Sequence, residues 1–173
     1  MEICDRQEIE ERQKMDATAK RLVTELQQQG LHVSTAESCT GGMIAAGIVD
    51  VAGASNVFEE GYVTYSNRVK QKVLGVRQET LDEYTVVSHQ TAAEMAVGAQ
   101  EKSGADLTIS VTGYAGPGAG EDGTPAGTIY IGTWYAGQVQ TRQYQFLGDR
   151  GSCRRQAVIA ALEFALERIR YCE

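Results

Sequence analysis

Thr35-Ala36-Glu37-Ser38-Cys39-Thr40-Gly41-Gly42 is the stretch on which the fold turns. A short β-like segment, Leu31-His32-Val33-Ser34, precedes it, and an apolar helix-like run from Met43 to Val51 follows. A strand that feeds a helix through a glycine-rich turn opens an α/β reading. The turn also sets a serine beside the backbone N–H groups of a helix start, which favour negative charge. Such a place suits a developing oxyanion or a phosphate.

Upstream, Ala19, Leu22, Val23 and Leu26 recur at helical spacing, and Gly30 is a stop signal, so a helix is expected over 16–29. Residues 1–15 are strongly polar and read as a solvated helical extension, leaving 16–173 as one domain. The first strand is expected over 31–36 and the second helix over 39–51, broken by Gly53-Ala54-Ser55-Asn56. Phe58 to Tyr65 is rich in β-formers. Ser66 or Asn67 then caps a short helix that Gly75 ends, and 79–84 reads as a further helical turn. Ser88 starts a longer helix that Gly104 stops. Leu107 to Val111 has the composition of a buried strand, and a long glycine-rich loop follows it from Thr112 to Pro125. Residues 127–135 and 138–146 alternate as two strands of a hairpin joined at Ala136-Gly137, and a last helix follows Ser152. The order α-β-α-β-α-α-β-β-β-α implies a layered α/β/α sandwich. Its mixed central sheet would have parallel central pairs and a late antiparallel hairpin toward one edge.

Composition narrows the function. The 173 residues are 42% hydrophobic and 23% charged, ordinary for one soluble domain with a real core. No apolar run approaches the roughly 18 residues of a membrane span. The start Met1-Glu2-Ile3-Cys4-Asp5 lacks the features of a signal peptide, so a cytoplasmic location is expected, with no membrane partner. A net charge of −7 argues against a nucleic-acid surface but leaves room for a local phosphate pocket. Cys4, Cys39, Cys153 and Cys172 form no CxxC pair and read as reduced thiols. With only His32 and His89 available, no metal site is expected.

A serine hydroxyl needs a proton acceptor before it can attack. Neither histidine is well placed for that, and a lysine can substitute where burial lowers its pKa. Of the five lysines, Lys14, Lys20 and Lys102 fall on polar helix faces, leaving Lys70 and Lys72. Tyr65 ends a strand and Lys70 lies about a turn into the next helix, so both can overlook the sheet edge that carries Ser38. Spacing alone is equally compatible with an exposed lysine and a strand-end tyrosine.

Five motifs occur in order. They are Ala36-Glu37-Ser38-Cys39-Thr40-Gly41-Gly42; Val63-Thr64-Tyr65-Ser66-Asn67-x-x-Lys70; Leu74-Gly75-Val76; Thr112-Gly113-x-Ala115-Gly116-Pro117; and Gly148-Asp149-Arg150-x-x-x-Arg154. Together they resemble the CinA C-terminal-domain family, the bacterial nicotinamide-nucleotide amidohydrolases, over about residues 16–170. The resemblance implies an amidohydrolase that converts nicotinamide mononucleotide to nicotinate mononucleotide and ammonia, without metal or organic cofactor. It implies Ser38 as nucleophile, Lys70 as general base and Tyr65 as a hydrogen-bonding partner in proton transfer. The N–H groups of Thr40, Gly41 or Gly42 would receive the oxyanion. Arg150 and Arg154 are candidates for the substrate phosphate, with Arg155 directed elsewhere. Thr112 and Gly113 are expected against the nucleotide, and Asn67 either contacts it or caps its helix. The family resemblance also implies a homo-oligomer.

Two features depart from the pattern. Tyr114 stands where the family commonly has a small aliphatic residue, and Ala119-Gly120-Glu121-Asp122 puts acid near a phosphate site. Without the larger N-terminal domain of many members, the chain reads as a stand-alone form. A non-catalytic nucleotide-binding module of the same fold is the alternative, and an enzyme with Cys39 as nucleophile is a third reading.

Overall fold

In a computed structural model, residues 3–170 are described, with side chains from Arg6 onward. The elements are α1 (Ile3–Gln29), β1 (Val33–Glu37), α2 (Met43–Val49), a 3-10 turn (Ala54–Asn56), β2 (Phe58–Val63) and α3 (Asn67–Leu74). They continue as α4 (Gln78–Tyr84), α5 (His89–Ser103), β3 (Leu107–Gly113), β4 (Thr128–Tyr135), β5 (Gln138–Gln145) and α6 (Arg150–Arg170). The sheet order is β2-β1-β3-β4-β5. β1 runs parallel to both neighbours, and β3-β4-β5 are antiparallel, giving the mixed sheet of an α/β/α sandwich.

Strand alternation divides the sheet between two helix layers. Val33, Leu107, Ile109, Val111, Ile129 and Ile131 point into the core shared with α1, α2 and α6. Ala36 points the other way, against Leu74, Leu81, Met95 and Ala99 of α3, α4 and α5. On that second face the strands carry small hydroxyl residues. Ser110 donates to the Ala92 carbonyl at 2.6 Å and Thr108 to the Ala96 carbonyl at 2.7 Å, so α5 lies close on the sheet.

Local signals set most boundaries. Ser66 is the N-cap of α3, its Oγ accepting from Val69 N–H, and Gly75 ends the helix at φ 69°. Ser88 and Gly104 bracket α5 in the same way. Ala136 (φ 50°) and Gly137 (φ 77°) are both left-handed, as a two-residue hairpin turn of matching twist requires.

Two expectations are corrected. The helix expected over 39–51 begins only at Met43, because Gly41 (φ 62°) and Gly42 (φ 95°) are left-handed and hold 38–42 as a separate turn. The polar extension, expected as a solvated lead-in, is continuous with α1 from Ile3 onward and packs on α6 through Glu11 and Lys14. Cys39 and Cys153 are free and buried, whereas the Cys4 side chain and Cys172 lie outside the described residues. No described helix is long and apolar enough to cross a membrane.

Gly98 of α5 faces the Leu74 carbonyl so closely that a Cβ would collide with it. Gly98→Ala is therefore expected to push α3 from α5 and to destabilise the protein by about 1–3 kcal/mol, read from the urea midpoint.

Candidate active site

The turn after β1 continues the alternation of the strand. Glu37 and Cys39 fall on the α1/α2/α6 side, and Ser38 falls on the α3 side. Ser38 is held there by its N–H, which donates to the Val111 carbonyl at 3.0 Å and extends the β1–β3 pairing by one residue. α3 enters the same space from the next strand. Lys70, on its buried face, is wholly enclosed. Its Nζ lies 2.9 Å from Ser38 Oγ, 2.8 Å from the Thr64 carbonyl and 3.4 Å from the Tyr65 carbonyl.

Three oxygens surround Nζ, and as an ammonium it donates to all three. In the neutral –NH2 form, with two N–H donors and one lone pair, the two carbonyls take the donors and the lone pair is left for the Ser38 hydroxyl. Burial pushes the Lys70 amine down from 10.5 to about 8, opposed only weakly by Cys39, and no carboxylate holds the charge in place. A drop of that size raises the neutral fraction at pH 7 by roughly 300-fold. The Cys39 thiol goes the opposite way. Burial pushes it up to about 12, so it stays protonated and inert as a nucleophile.

The turn itself is clamped from two sides. Glu37, 1% exposed, accepts N–H bonds from Gly42 and Ile44 at 3.0 Å and Ala45 at 2.8 Å. The positive end of α2 is thus answered by this carboxylate and not by a ligand beside Ser38, as the sequence suggested. On the other side Arg154 donates to the carbonyls of Cys39 (3.0 Å) and Thr40 (2.7 Å). Arg154 therefore holds the turn, and its guanidinium is not turned to the pocket as a phosphate ligand would be. Of the three candidate oxyanion donors, Gly41 N–H already donates to the Ser38 carbonyl and Gly42 N–H to Glu37. Only Thr40 N–H has no partner among the described residues.

A cavity of about 220 Å³ opens over Ser38 and Lys70. Tyr65, Asn67, Thr112, Gly113 and Arg150 line it, so these expected residues do come together. Asn67 is the first residue of α3; the capping role falls to Ser66. The Tyr65 hydroxyl accepts from Arg150 at 3.2 Å, and only its carbonyl is directed at Lys70. The other Arg150 nitrogen donates to the Gly116 carbonyl at 2.6 Å, tying α6 to the glycine-rich loop. Tyr114 forms part of the wall, and its ring packs on Gly120, where a Cβ would collide. Glu121 and Asp122 stand near enough to join burial in raising the Tyr114 hydroxyl above its ordinary range.

Sequence reasoning missed Val86 and Val87, which also line the cavity. They arrive there on a turn set by Thr85, left-handed at φ 67°, with the Thr112 hydroxyl bonded to the Val86 carbonyl at 2.7 Å. Glu37 and the turn-holding part of Arg154 were missed as well. Both stand inside quoted motifs, the only signal available for them. Among the described residues no group of three His, Cys, Asp or Glu side chains is arranged to hold a metal.

Residues 15–169 match the model of the CinA C-terminal domain. The chain belongs to that family. The nicotinamide-nucleotide amidohydrolase PncC of Enterobacter agglomerans is 46% identical over 142 residues, 82% of this chain and 87% of that protein. The protein of the same name from Escherichia coli K12 is 46% identical over 139 residues, 80% of this chain and 84% of its own length. The CinA-like protein of Kosmotoga olearia is 46% identical over 143 residues, 83% of this chain, and the match spans only 35% of that longer protein. In three dimensions, a CinA superfamily protein from Klebsiella pneumoniae superposes with a TM-score of 0.88 at 39% identity, covering 90% of this chain and 97% of that one.

The buried amine makes a linkage prediction. With a folded pKa near 8 and an unfolded value near 10.5, the unfolded chain binds more protons between those pH values, so stability rises with pH across that window. Wild type should gain on the order of 3 kcal/mol relative to Lys70→Met between pH 7 and pH 10.5, measured by urea unfolding.

Proposed function

We propose that this chain hydrolyses the carboxamide of nicotinamide mononucleotide to nicotinate mononucleotide and ammonia. The observation that carries the reading is the 2.9 Å contact between a buried, carboxylate-free lysine and a serine hydroxyl on the floor of the cavity. Support for the substrate comes from the two relatives named as nicotinamide-nucleotide amidohydrolases, each matched over more than four fifths of its length.

In this mechanism Ser38 Oγ attacks the carboxamide carbon while its proton passes to the lone pair of Lys70 Nζ. The oxyanion that forms is received by Thr40 N–H. The C–N bond then breaks, Lys70 returns the proton to the departing nitrogen, and ammonia leaves behind a serine ester. Water adds to the ester as Lys70 takes its proton. The C–O bond breaks, Ser38 recovers its hydrogen, and the product acid ionises. Thr64 and Tyr65 carbonyls hold Nζ throughout, so the amine does not reorganise between steps. Arg150 offers the exposed charge for the phosphate, with Asn67, Thr112 and Gly113 along the wall. The proton-transfer role that family resemblance gives Tyr65 requires its hydroxyl to leave Arg150, which binding of a phosphate to Arg150 would promote.

The test is ammonia release from nicotinamide mononucleotide. Wild type should release it, and Ser38→Ala should fall by at least about a thousandfold. Full activity in Ser38→Ala would exclude the serine mechanism. Binding without turnover in wild type would favour a nucleotide-binding module. The kcat/KM of wild type should rise with pH and level off above about 8, since the neutral amine is the active base.

A further inference from the structure

The first turn of α6 is gripped on two sides. One side faces the site: Arg150 joins the Gly116 carbonyl and the Tyr65 hydroxyl, and Arg154, a turn later, holds the 39–40 carbonyls. The other side faces the N-terminal part of α1, upstream of the residues matched by the family model. There Glu11 receives the Ser152 hydroxyl at 2.5 Å on one oxygen and Arg155 Nε at 2.7 Å on the other. Both partners of that ion pair are close to nine-tenths buried, with Glu11 at 11% and Arg155 at 12% exposure. Glu8 adds a longer contact to Arg155 at 3.7 Å, and Gln7 donates to Ser152 at 3.4 Å.

Helix ends fray, and at a helix start the first N–H groups lack intrahelical partners. In α6, Asp149 answers one of them, its Oδ1 accepting from Ser152 N–H at 2.7 Å, while its carbonyl takes the first regular helical bond, from Cys153 N–H at 2.9 Å. Arg150 itself is exposed and, as the first residue of α6, lines the pocket from this turn. Ser152 and Arg155 follow Arg150 by two and five residues, so anchoring them fixes the turn from which it projects.

We propose that the helical segment ahead of the family domain sets the first turn of α6 through Glu11, and thereby aims Arg150 at the pocket. Glu11 is a positioning residue; it touches no reacting atom. The inference takes the pocket as the nucleotide site and so rests on the function proposed above. Its effect belongs first in substrate binding, because Arg150 projects from the anchored turn itself, whereas Lys70 is carried by α3 and Arg154 keeps its own two bonds to the Cys39 and Thr40 carbonyls behind Ser38.

Glu11→Ala should raise the KM for nicotinamide mononucleotide by about tenfold and leave kcat within about twofold. Glu11→Gln, which keeps an acceptor for Arg155, should recover part of the loss, and Arg6→Gln on the exposed face should change nothing. In a double-mutant cycle, Glu11→Ala with Arg150→Ala should be no worse than Arg150→Ala alone. Additive losses, or an unchanged KM in Glu11→Ala, would overturn the proposal. A readout free of substrate separates this idea from the catalytic one. Amide hydrogen exchange over 152–156 should quicken by at least about tenfold in Glu11→Ala, with 67–74 unchanged. Equal exchange in both proteins would reject the strut even if the enzyme is active. Faster exchange in a protein that releases no ammonia would leave the strut standing and remove the proposed function.

Discussion

The burial of the Lys70 amine against Ser38 is the constraint on which the rest of the site depends. An ammonium removed from water without a counter-ion is unfavourable, and burial shifts the balance toward the neutral form, down from 10.5 to about 8. Everything around it keeps the amine where it is. α3 is short and capped at both ends, by Ser66 and Gly75, so its phase relative to β1 has little freedom. The side-chain-free surface of Gly98 lets α3 lie against α5. The carbonyls at the end of β2 meet the amine where the strand stops.

Ser38 is fixed by a different logic. The residues on either side of it in sequence are engaged on the opposite side of the sheet, Glu37 with the start of α2 and Cys39 in the core. Two left-handed glycines then let the chain reverse without forming helix, and Arg154 holds the carbonyls of the reversal. A buried carboxylate satisfied by three N–H groups is a stiff support, because removing any partner would leave charge unanswered in the interior. In the proposed reaction stiffness is useful, since Ser38 and Lys70 would have to keep their separation through two addition steps.

Much of the fold was legible because its signals are local. Ser66, Ser88, Gly75 and Gly104 mark helix ends by their own backbone chemistry, and the alternation in β4 and β5 marks the hairpin. The α/β order then leaves few ways to arrange the sheet. Readings that depended on distant partners fared differently. Nothing in the sequence around Glu37 says that it will answer α2, or that Arg154 will look inward to Thr40 while Arg150 looks outward to the pocket. A polar helix such as residues 3–14 carries no stripe to announce that it packs; its buried contacts are ionic and become visible only once α6 lies beside it. The pairing of Ser38 with Lys70 was suggested by family motifs and not by spacing, since two residues thirty-two apart meet only through the crossover from β1 to β2.

The most direct measurement is the titration of Lys70 itself. With five lysines in the chain, selective isotopic labelling of the lysine side chains and NMR across pH 6–11 should resolve each amine. Lys70, assigned by its loss in Lys70→Met, is expected to pass its midpoint near pH 8. A midpoint at the ordinary 10.5 would mean that the amine stays charged at Ser38, and would contradict a neutral lysine as the base.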